Sequence, residues 1–209
     1  MTRNKTTKEW SNFWRLRKID WKVSYLDTAD HPHRHLISEI LSTIRWDSLL
    51  EVGCGSGANL VNIISHFKNK QVGGIDINAD AIELARETFE GAFLKVGSVE
   101  DIMMSDNSVD VILSDMCMIY IDKPDRAIKE IKRVSRNYVL FSELHSESLF
   151  MRMKLKWTSG YNAHNYRKLL EKHGFTDIII SKIPLKAWEG GNPQKDYGYF
   201  VRAKTPKRK

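Results

Sequence analysis

The stretch Leu49-Leu50-Glu51-Val52-Gly53-Cys54-Gly55-Ser56-Gly57-Ala58-Asn59-Leu60 decides the fold of this chain. An apolar run ends in an acidic residue, and glycines then occupy every second position. Glycine permits positive φ and lets a ligand approach the backbone without meeting a Cβ. The stretch therefore predicts a buried strand, a tight turn with a cofactor beside it, and the start of a helix. Gly53-x-Gly55-x-x-Ala58 also fits the loose dinucleotide pattern, so the kind of nucleotide stays open.

Further apolar runs follow at intervals typical of β-α-β units, and they predict strands at 71–77, 93–96 and 109–114. Helices are predicted at 58–67, before the first of these strands, and at 79–89, between the first and the second. Each run ends in polar residues. Because the carboxyl ends of parallel strands meet at one edge of a sheet, we expect Glu51, Asp76, Ser98 and Asp115 to converge there. Asp76 is placed to accept the hydroxyl hydrogens of a ribose.

The second half of the chain changes its pattern. A helix at 124–134 precedes a fifth strand, 138–143, and a basic helical stretch and a second helix follow. Two β-rich segments, 176–183 and 197–203, close the chain. Their connection, 184–196, contains Gly190-Gly191-Asn192-Pro193 and no predicted helix, so the two segments should pair antiparallel.

Composition bounds the class of protein. The 209 residues are 42% apolar, which suits one globular domain, and no apolar run approaches the roughly 20 residues needed to span a bilayer. We therefore expect a cytoplasmic protein without a membrane partner. The two cysteines, Cys54 and Cys117, suggest neither a disulfide framework nor a zinc site. The net charge of +7 fits an anionic partner such as RNA, or a solvated basic surface.

The N-terminal segment, residues 1–45, is predicted to cap the rest of the chain. Its first part carries Trp10, Phe13, Trp14, Trp21 and Tyr25 at nearly helical spacing. This amphipathic helix either covers the edge of the core or forms a lid over a substrate pocket, and the two interpretations are compatible.

A second helix follows from about 32 to 45, with Asp30 as its expected cap and Pro32 in its first turn. His31 and His35 are four residues apart, but no third ligand completes a zinc site, so no metal is predicted. These histidines and Arg34 are expected to line or cap a pocket, or to lie on the surface.

Four of these motifs, taken together, resemble those of the class I S-adenosylmethionine-dependent methyltransferases, in particular the methyltransferase-11-like domains. They are Glu51–Gly57, Gly74–Asn78, Gly97–Asp101 and Asp110–Asp115, in the family's order. The resemblance implies an α/β fold for residues 46–209, with helices on both faces of a mostly parallel seven-stranded sheet of order 3-2-1-4-5-7-6. The closing antiparallel pair also belongs to that fold and argues against an NAD-dependent oxidoreductase.

The resemblance also implies S-adenosylmethionine as cofactor and S-adenosylhomocysteine as product. The implied cofactor-binding residues lie at the glycine turn and at the strand ends: Glu51, Gly53, Gly55, Gly57, Asp76, Ile77, Ser98, Val99 and Asp115. Asp76 would hold the ribose, Ile77 and Val99 the adenine, and Glu51 and Asp115 the methionine end. Ser98 stands where many relatives have Asp, which accepts a hydrogen bond from the adenine amino group more strongly.

The implied reaction is SN2 transfer of a methyl group to an oxygen, nitrogen or carbon nucleophile of a small polar metabolite, in which the protein aligns the nucleophile and excludes water. Because the family has no shared catalytic residue, candidates come from position alone: Glu143, His145 and Tyr120, with Asp115, His31, His33 and His35 as further possibilities. The alternatives are an RNA or protein methyltransferase and a non-catalytic partner subunit that binds the cofactor. The oligomeric state and the acceptor stay open.

Overall fold

A computed structural model describes residues 5–188, 191 and 193–207. A sheet forms its centre, with strands β1 (Ser48–Val52), β2 (Gln71–Asp76), β3 (Phe93–Val96), β4 (Val109–Asp115), β5 (Ser135–Leu144), β6 (Thr176–Lys182) and β7 (Gly198–Lys204). The strand order is β3-β2-β1-β4-β5-β7-β6. β1 to β5 are parallel, and β7 is antiparallel to both of its neighbours. This confirms the predicted fold class and strand order.

Helices pack on both faces of the sheet, because the strands are apolar on both sides. Leu49 and Leu50 of β1 point to opposite faces, and both are buried in separate core clusters. The helices of the described residues are α1 (Thr7–Arg15), α2 (Trp21–Ser24), α3 (Pro32–Ser42), α4 (Ala58–His66), α5 (Ala79–Thr88), α6 (Asp125–Val134), α7 (Leu149–Ser159), α8 (Tyr166–Lys172) and α9 (Gln194–Tyr197).

The N-terminal segment differs in detail from the prediction. Its aromatic part is two helices, α1 and α2, and not one. The cap of α3 is His31, whose side chain accepts from the amide of His33, and not Asp30. Asp30 instead bonds the ring of His35. A histidine can replace Asp as a cap because its unprotonated ring nitrogen is also an acceptor. α3 buries Ile37 and Leu41 in the cluster that contains Leu49.

The connection between β6 and β7 also differs, since it contains a 3-10 turn, Leu185–Ala187, and α9, where no helix was expected. Gly190 and Asn192 of the predicted turn lie outside the described residues, as do residues 1–4, 189 and 208–209. Across the described ranges, no helix is both long and apolar enough to cross a bilayer. The same ranges hold no group of three or more His, Cys, Asp or Glu side chains that could bind a metal.

Candidate active site

A cavity of about 630 Å³ lies at the carboxyl ends of β1 to β4, where the predicted polar residues meet. Its floor is built from the strand ends, and its opposite wall comes from the N-terminal segment. It is lined by nine of the twelve predicted site residues: Glu51, Gly53, Gly55, Asp76, Ile77, Ser98, Val99, Asp115 and Tyr120. A cavity of this size, with mixed apolar and polar walls, is typical of a small-molecule or cofactor site.

The glycine turn after β1 has the predicted backbone. Gly53 and Gly55 have φ of +73° and +54°, and the amide of Gly53 donates to the carbonyl of Ile75 at 2.8 Å. A Cβ on Gly53 would lie 2.6 Å from the side chain of Cys117, whereas Gly55 faces open space next to Tyr25. The turn therefore leaves its backbone accessible from the cavity at Gly55.

Gly57 does not lie on the cavity wall, which differs from the expectation that its backbone approaches the cofactor. It precedes α4 with φ of +92°, and a Cβ there would lie 2.4 Å from the ring of Phe89. A left-handed backbone packed against an aromatic ring is sufficient reason for glycine here, and the contact of Gly57 with a cofactor stays a prediction.

Asp76 ends β2 directly beside the turn. Its carboxylate accepts from the amide of Gly55 at 2.9 Å and from the amide of Asn78 at 2.8 Å. Burial raises the pKa of Asp76, although these backbone hydrogen bonds oppose the shift. Further along the same wall lie Ile77, Ser98 and Val99. The Ser98 hydroxyl accepts from the amide of Glu100, so it also stabilises its own loop.

Glu51 is fully buried at the end of β1. Its Oε1 accepts from the side-chain amide of Asn59 at 2.6 Å, and its Oε2 has no hydrogen-bond partner among the described residues. Burial raises the pKa of Glu51 to about 8, against the opposing effect of the Asn59 hydrogen bond. A buried acceptor without a donor is costly, so this oxygen is a natural position for a cationic or N–H group of a ligand.

Asp115 ends β4 next to Glu51. Its Oδ2 lies 2.9 Å from His33 Nε2 and accepts from Arg34 at 3.1 Å and from Asn59 at 3.0 Å. Burial alone would raise the pKa of Asp115, but the charges of His33 and Arg34 and the hydrogen bonds from His33 and Asn59 hold it well below its usual range. Asp115 is therefore an anion at neutral pH, and Oδ1 has no partner in the described part of the chain.

Two histidines extend this network along the cavity. His33 Nδ1 lies 2.7 Å from His31 Nδ1, and the ring of Trp188 packs 3.8 Å from the His33 ring. His31, His33 and Trp188 all line the cavity. Burial and the neighbouring His33 and Arg34 lower the pKa of His31. The chain His31–His33–Asp115 joins an imidazole at the wall to a buried carboxylate, an arrangement suited to moving a proton.

Aromatic side chains of the N-terminal segment close the cavity. The ring centroids of Trp10 and Trp14 lie 4.8 and 5.2 Å from that of Tyr120, and the ring centroid of Tyr161 lies 5.8 Å from that of Tyr120. Burial raises the pKa of Tyr120 well above its usual range, so its hydroxyl stays protonated.

The aromatic segment is fastened to the fold by polar contacts. The Ser56 hydroxyl donates to the carbonyl of Trp21 at 2.9 Å, the Asn78 side chain donates to the carbonyl of Trp14 at 2.7 Å, and Thr7 bonds Asp122.

Glu143 and His145 do not lie on the cavity wall, so their contact with a substrate stays a prediction. Glu143 is fully buried, and its Oε1 accepts from the Ser114 hydroxyl and from the amides of Cys117 and Met118. It thus supports the loop that forms the cavity floor. His145 Nδ1 lies 3.1 Å from the carbonyl oxygen of His164, inside the fold.

Sequence reasoning missed Asn59 and Trp188. Asn59 is a buried polar residue in an otherwise apolar helix, a signal that could have been noticed. Trp188 follows His33 by 155 positions and Asp115 by 73 positions, and no local sequence pattern indicates that it reaches the site.

Comparison with known proteins indicates the family. A family model described as "Methyltransferase domain" matches residues 50–141, the segment that contains all four motifs and the strand ends beneath the cavity. The matched segment supports a class I S-adenosylmethionine-dependent methyltransferase. Among the relatives, a malonyl-[acyl-carrier protein] O-methyltransferase of Methylococcus capsulatus is 31% identical over 151 residues, which are 66% of this chain and 55% of that protein. The chain thus spans about half the length of the curated relatives that it matches.

Solved structures of other proteins share the fold of this chain. The [4+2]-cyclase SpnF superposes with a TM-score of 0.71 and 17% identity, over 97% of both chains. A geranyl diphosphate C-methyltransferase from Streptomyces coelicolor A3(2), crystallised with Mg²⁺, geranyl diphosphate and S-adenosylhomocysteine, superposes with a TM-score of 0.70 and 13% identity, over 96% of this chain and 98% of that one. At these identities the likeness concerns the fold alone.

Proposed function

We propose that this protein transfers a methyl group from S-adenosylmethionine to a small-molecule nucleophile inside the cavity. The observation that carries the proposal is the convergence of Glu51, Asp76, Val99 and Asp115 on one enclosed cavity with aromatic walls. The match of residues 50–141 to the methyltransferase model and the S-adenosylhomocysteine in a structural neighbour support the cofactor.

The residues present fit this cofactor. The unpaired oxygen of Glu51 suits the ammonium group of the methionine part, with the unpaired oxygen of Asp115 close to it in the network. Asp76 already accepts two amide hydrogens and lies where ribose hydroxyls would meet it. Gly55 leaves room for the ligand beside the turn. These positions support the roles that the four motifs imply.

The bound cofactor supplies a methyl group that its sulfonium already activates. The protein then has to align the acceptor, exclude water and remove a proton where the acceptor carries one. Trp10, Trp14 and Tyr120 would exclude water. We assign proton acceptance to His31, because the negative charge of Asp115, which lies behind His33, can stabilise the positive charge that His31 gains.

The aromatic rings of Trp10, Trp14 and Tyr161, which line the cavity, favour a small acceptor over RNA or a protein side chain. The nature of the nucleophile, oxygen, nitrogen or carbon, stays a proposal, since the relatives differ in substrate. One of the structural neighbours is a cyclase, which favours a second candidate function: binding of the cofactor without transfer of its methyl group.

Methyl transfer from radiolabelled S-adenosylmethionine tests the proposal. The purified protein is incubated with small-molecule, RNA and protein fractions of a cell extract, and His31→Gln serves as a variant of the proposed proton acceptor. We expect label in the small-molecule fraction, with a lower rate for His31→Gln. Label in RNA or protein alone would contradict the small-acceptor proposal, and no label in any fraction would favour the non-catalytic candidate.

A further inference from the structure

α7 presents an apolar face to solvent, which is the reverse of the usual pattern for a surface helix. The exposed fractions of Leu149, Phe150, Met153 and Trp157 are 63%, 72%, 63% and 78%. Exposed apolar residues are ordinary when they are scattered, whereas a contiguous group of large ones marks an interaction surface.

The four side chains share one face of the helix. At about 100° of rotation per residue they fall within an arc of about 100°, and Leu155, which is buried, lies on the opposite side. Lys154 and Lys156 lie beyond the two edges of this arc. The apolar face is therefore bordered by a positive charge on each side.

α7 carries an excess of positive charge. The helix contains Arg152, Lys154 and Lys156 and no acidic residue. The Arg152 guanidinium donates to the carbonyls of Ser146 and Glu147, and no ion pair among the described residues involves either lysine. Lys154 is exposed and available to an anionic partner, whereas the half-buried Lys156 also interacts with Asp122, whose pKa it lowers.

The inner side of α7 connects this face to the cavity. Leu155 packs in a cluster with Ile119, Leu144 and Ala163, and Tyr120 and Tyr161 pack against the same cluster. Those two tyrosines line the cavity. The exposed face of α7 and the wall of the cavity are therefore separated only by α7 itself and the cluster on its inner side.

We propose that the outer face of α7 docks on an anionic lipid surface. Trp, Phe, Met and Leu side chains would enter the boundary between headgroups and acyl chains, and the flanking lysines would meet anionic headgroups, the arrangement of an interfacial amphipathic helix. A second copy of the chain fits less well, because pairing two such faces would bring the lysines of both copies together.

This proposal is independent of the methyltransferase function. It also revises the sequence-based expectation of no membrane partner, which rested on the lack of a spanning run and does not address surface binding.

Co-sedimentation with vesicles tests the proposal on the full chain. One set of vesicles is phosphatidylcholine alone, and the other contains phosphatidylglycerol as well. We expect binding to the anionic vesicles, and a loss of roughly tenfold or more in Phe150→Ser/Trp157→Ser because a large apolar area no longer leaves water. Lys154→Gln/Lys156→Gln should weaken binding by about 5-fold for each lysine.

Matched controls keep these variants interpretable. Met103→Ser removes an equally exposed apolar side chain elsewhere, and Lys68→Gln/Lys95→Gln removes two exposed lysines outside α7; both should bind vesicles like the unmodified chain. Calorimetry with S-adenosylhomocysteine on the α7 variants reports their folding, since neither Phe150 nor Trp157 lines the cavity.

Brominated lipid gives a direct readout of insertion. It should quench the fluorescence of the unmodified chain, and Trp157→Phe should lose most of this quenching. Three results would overturn the proposal: no sedimentation with anionic vesicles, sedimentation that Phe150→Ser/Trp157→Ser does not reduce, which is adsorption by charge, or a dimer in solution that this variant dissociates without any vesicle binding.

Discussion

At the scale of single residues, Glu51 couples the site to pH. Its carboxyl group is buried, one of its oxygens has no hydrogen-bond partner among the described residues, and burial raises its pKa to about 8. Below pH 8 the empty protein therefore carries a proton on Glu51. An ammonium group placed beside it favours the ionised form, so ligand binding should release that proton.

We accordingly predict that affinity for S-adenosylhomocysteine rises between pH 6 and 7.5, by at most about tenfold per pH unit. Calorimetry in buffers of different ionisation enthalpy measures the released proton. Glu51→Gln should bind more weakly at pH 7.5 and show neither proton release nor pH dependence. Equal proton exchange in the variant and the unmodified chain would show that another group titrates.

Glu143 acts on the site through the backbone of the loop after β4. Burial raises its pKa to about 8, although the Ser114 hydroxyl and two loop amides donate to it. The pKa of Glu143 is higher in the folded protein than in the unfolded chain. Its contribution to stability is therefore fully present below about pH 4.5 and is lost as the pH rises to about 8.

Stability measurements on two variants of Glu143 check this role. Glu143→Gln keeps an acceptor oxygen in a neutral side chain, so its free energy of unfolding should fall less steeply than that of the unmodified chain between pH 4.5 and 8. Glu143→Ala leaves the amides of Cys117 and Met118 without an acceptor and should cost about 2–5 kcal/mol. If Glu143→Ala unfolds like the unmodified chain in urea, the loop does not depend on this carboxyl group.

At the scale of elements, the turn before α4 depends on the packing of Gly57 as well as on its φ. Gly91 offers a matched comparison, because its φ of +79° is similar and a Cβ there would meet nothing within 4 Å. Gly91→Ala should thus report the backbone cost alone, about 1–2 kcal/mol.

Gly57→Ala should cost more than Gly91→Ala, because its Cβ also meets the Phe89 ring. Shortening that side chain in Gly57→Ala/Phe89→Leu should recover part of the excess. Urea denaturation of the three variants measures the difference. Equal losses in Gly57→Ala and Gly91→Ala would show that Phe89 moves aside without cost.

The positions of strands and helices could be predicted from the sequence where neighbouring residues form a clear pattern. The alternation of apolar strands and helices, the glycine turn and the acidic strand ends are patterns within a few residues, and they predict the sheet and the cavity edge. The direction of Glu143 was not predictable in this way. It depends on how residues 116–118 fold back, and Met116 there has φ of +53°, a conformation that its residue type does not suggest.

At the scale of the whole molecule, the site is completed by distant parts of the chain. Trp10 and Trp14 come from the N-terminus, the sheet supplies the floor, and Trp188 comes from the connection between β6 and β7. Contacts between such segments leave no local signature, so Trp188 escaped prediction while the aromatic N-terminal segment, with its periodic spacing, did not.

The N-terminal segment should respond to ligand binding. Trp14, Trp21 and Tyr25 line the cavity and would gain contacts with a bound cofactor. We predict that amide hydrogen exchange in α1 and α2 slows at saturating S-adenosylhomocysteine, while exchange in the interior strand β5 stays unchanged and serves as the internal control. Unchanged exchange in α1 and α2 would show that the segment covers the site without contacting the ligand.

Calorimetric titration with S-adenosylhomocysteine tests the central claim most directly. We predict binding at a single site, and a loss of about 10- to 100-fold in affinity in Asp76→Ala, since charge-assisted hydrogen bonds to the ribose would be removed. Asp47→Ala, an exposed aspartate at the opposite edge of the sheet, should bind like the unmodified chain. No heat of binding from the folded, unmodified protein, or equal affinity in Asp76→Ala, would contradict the cofactor site described here.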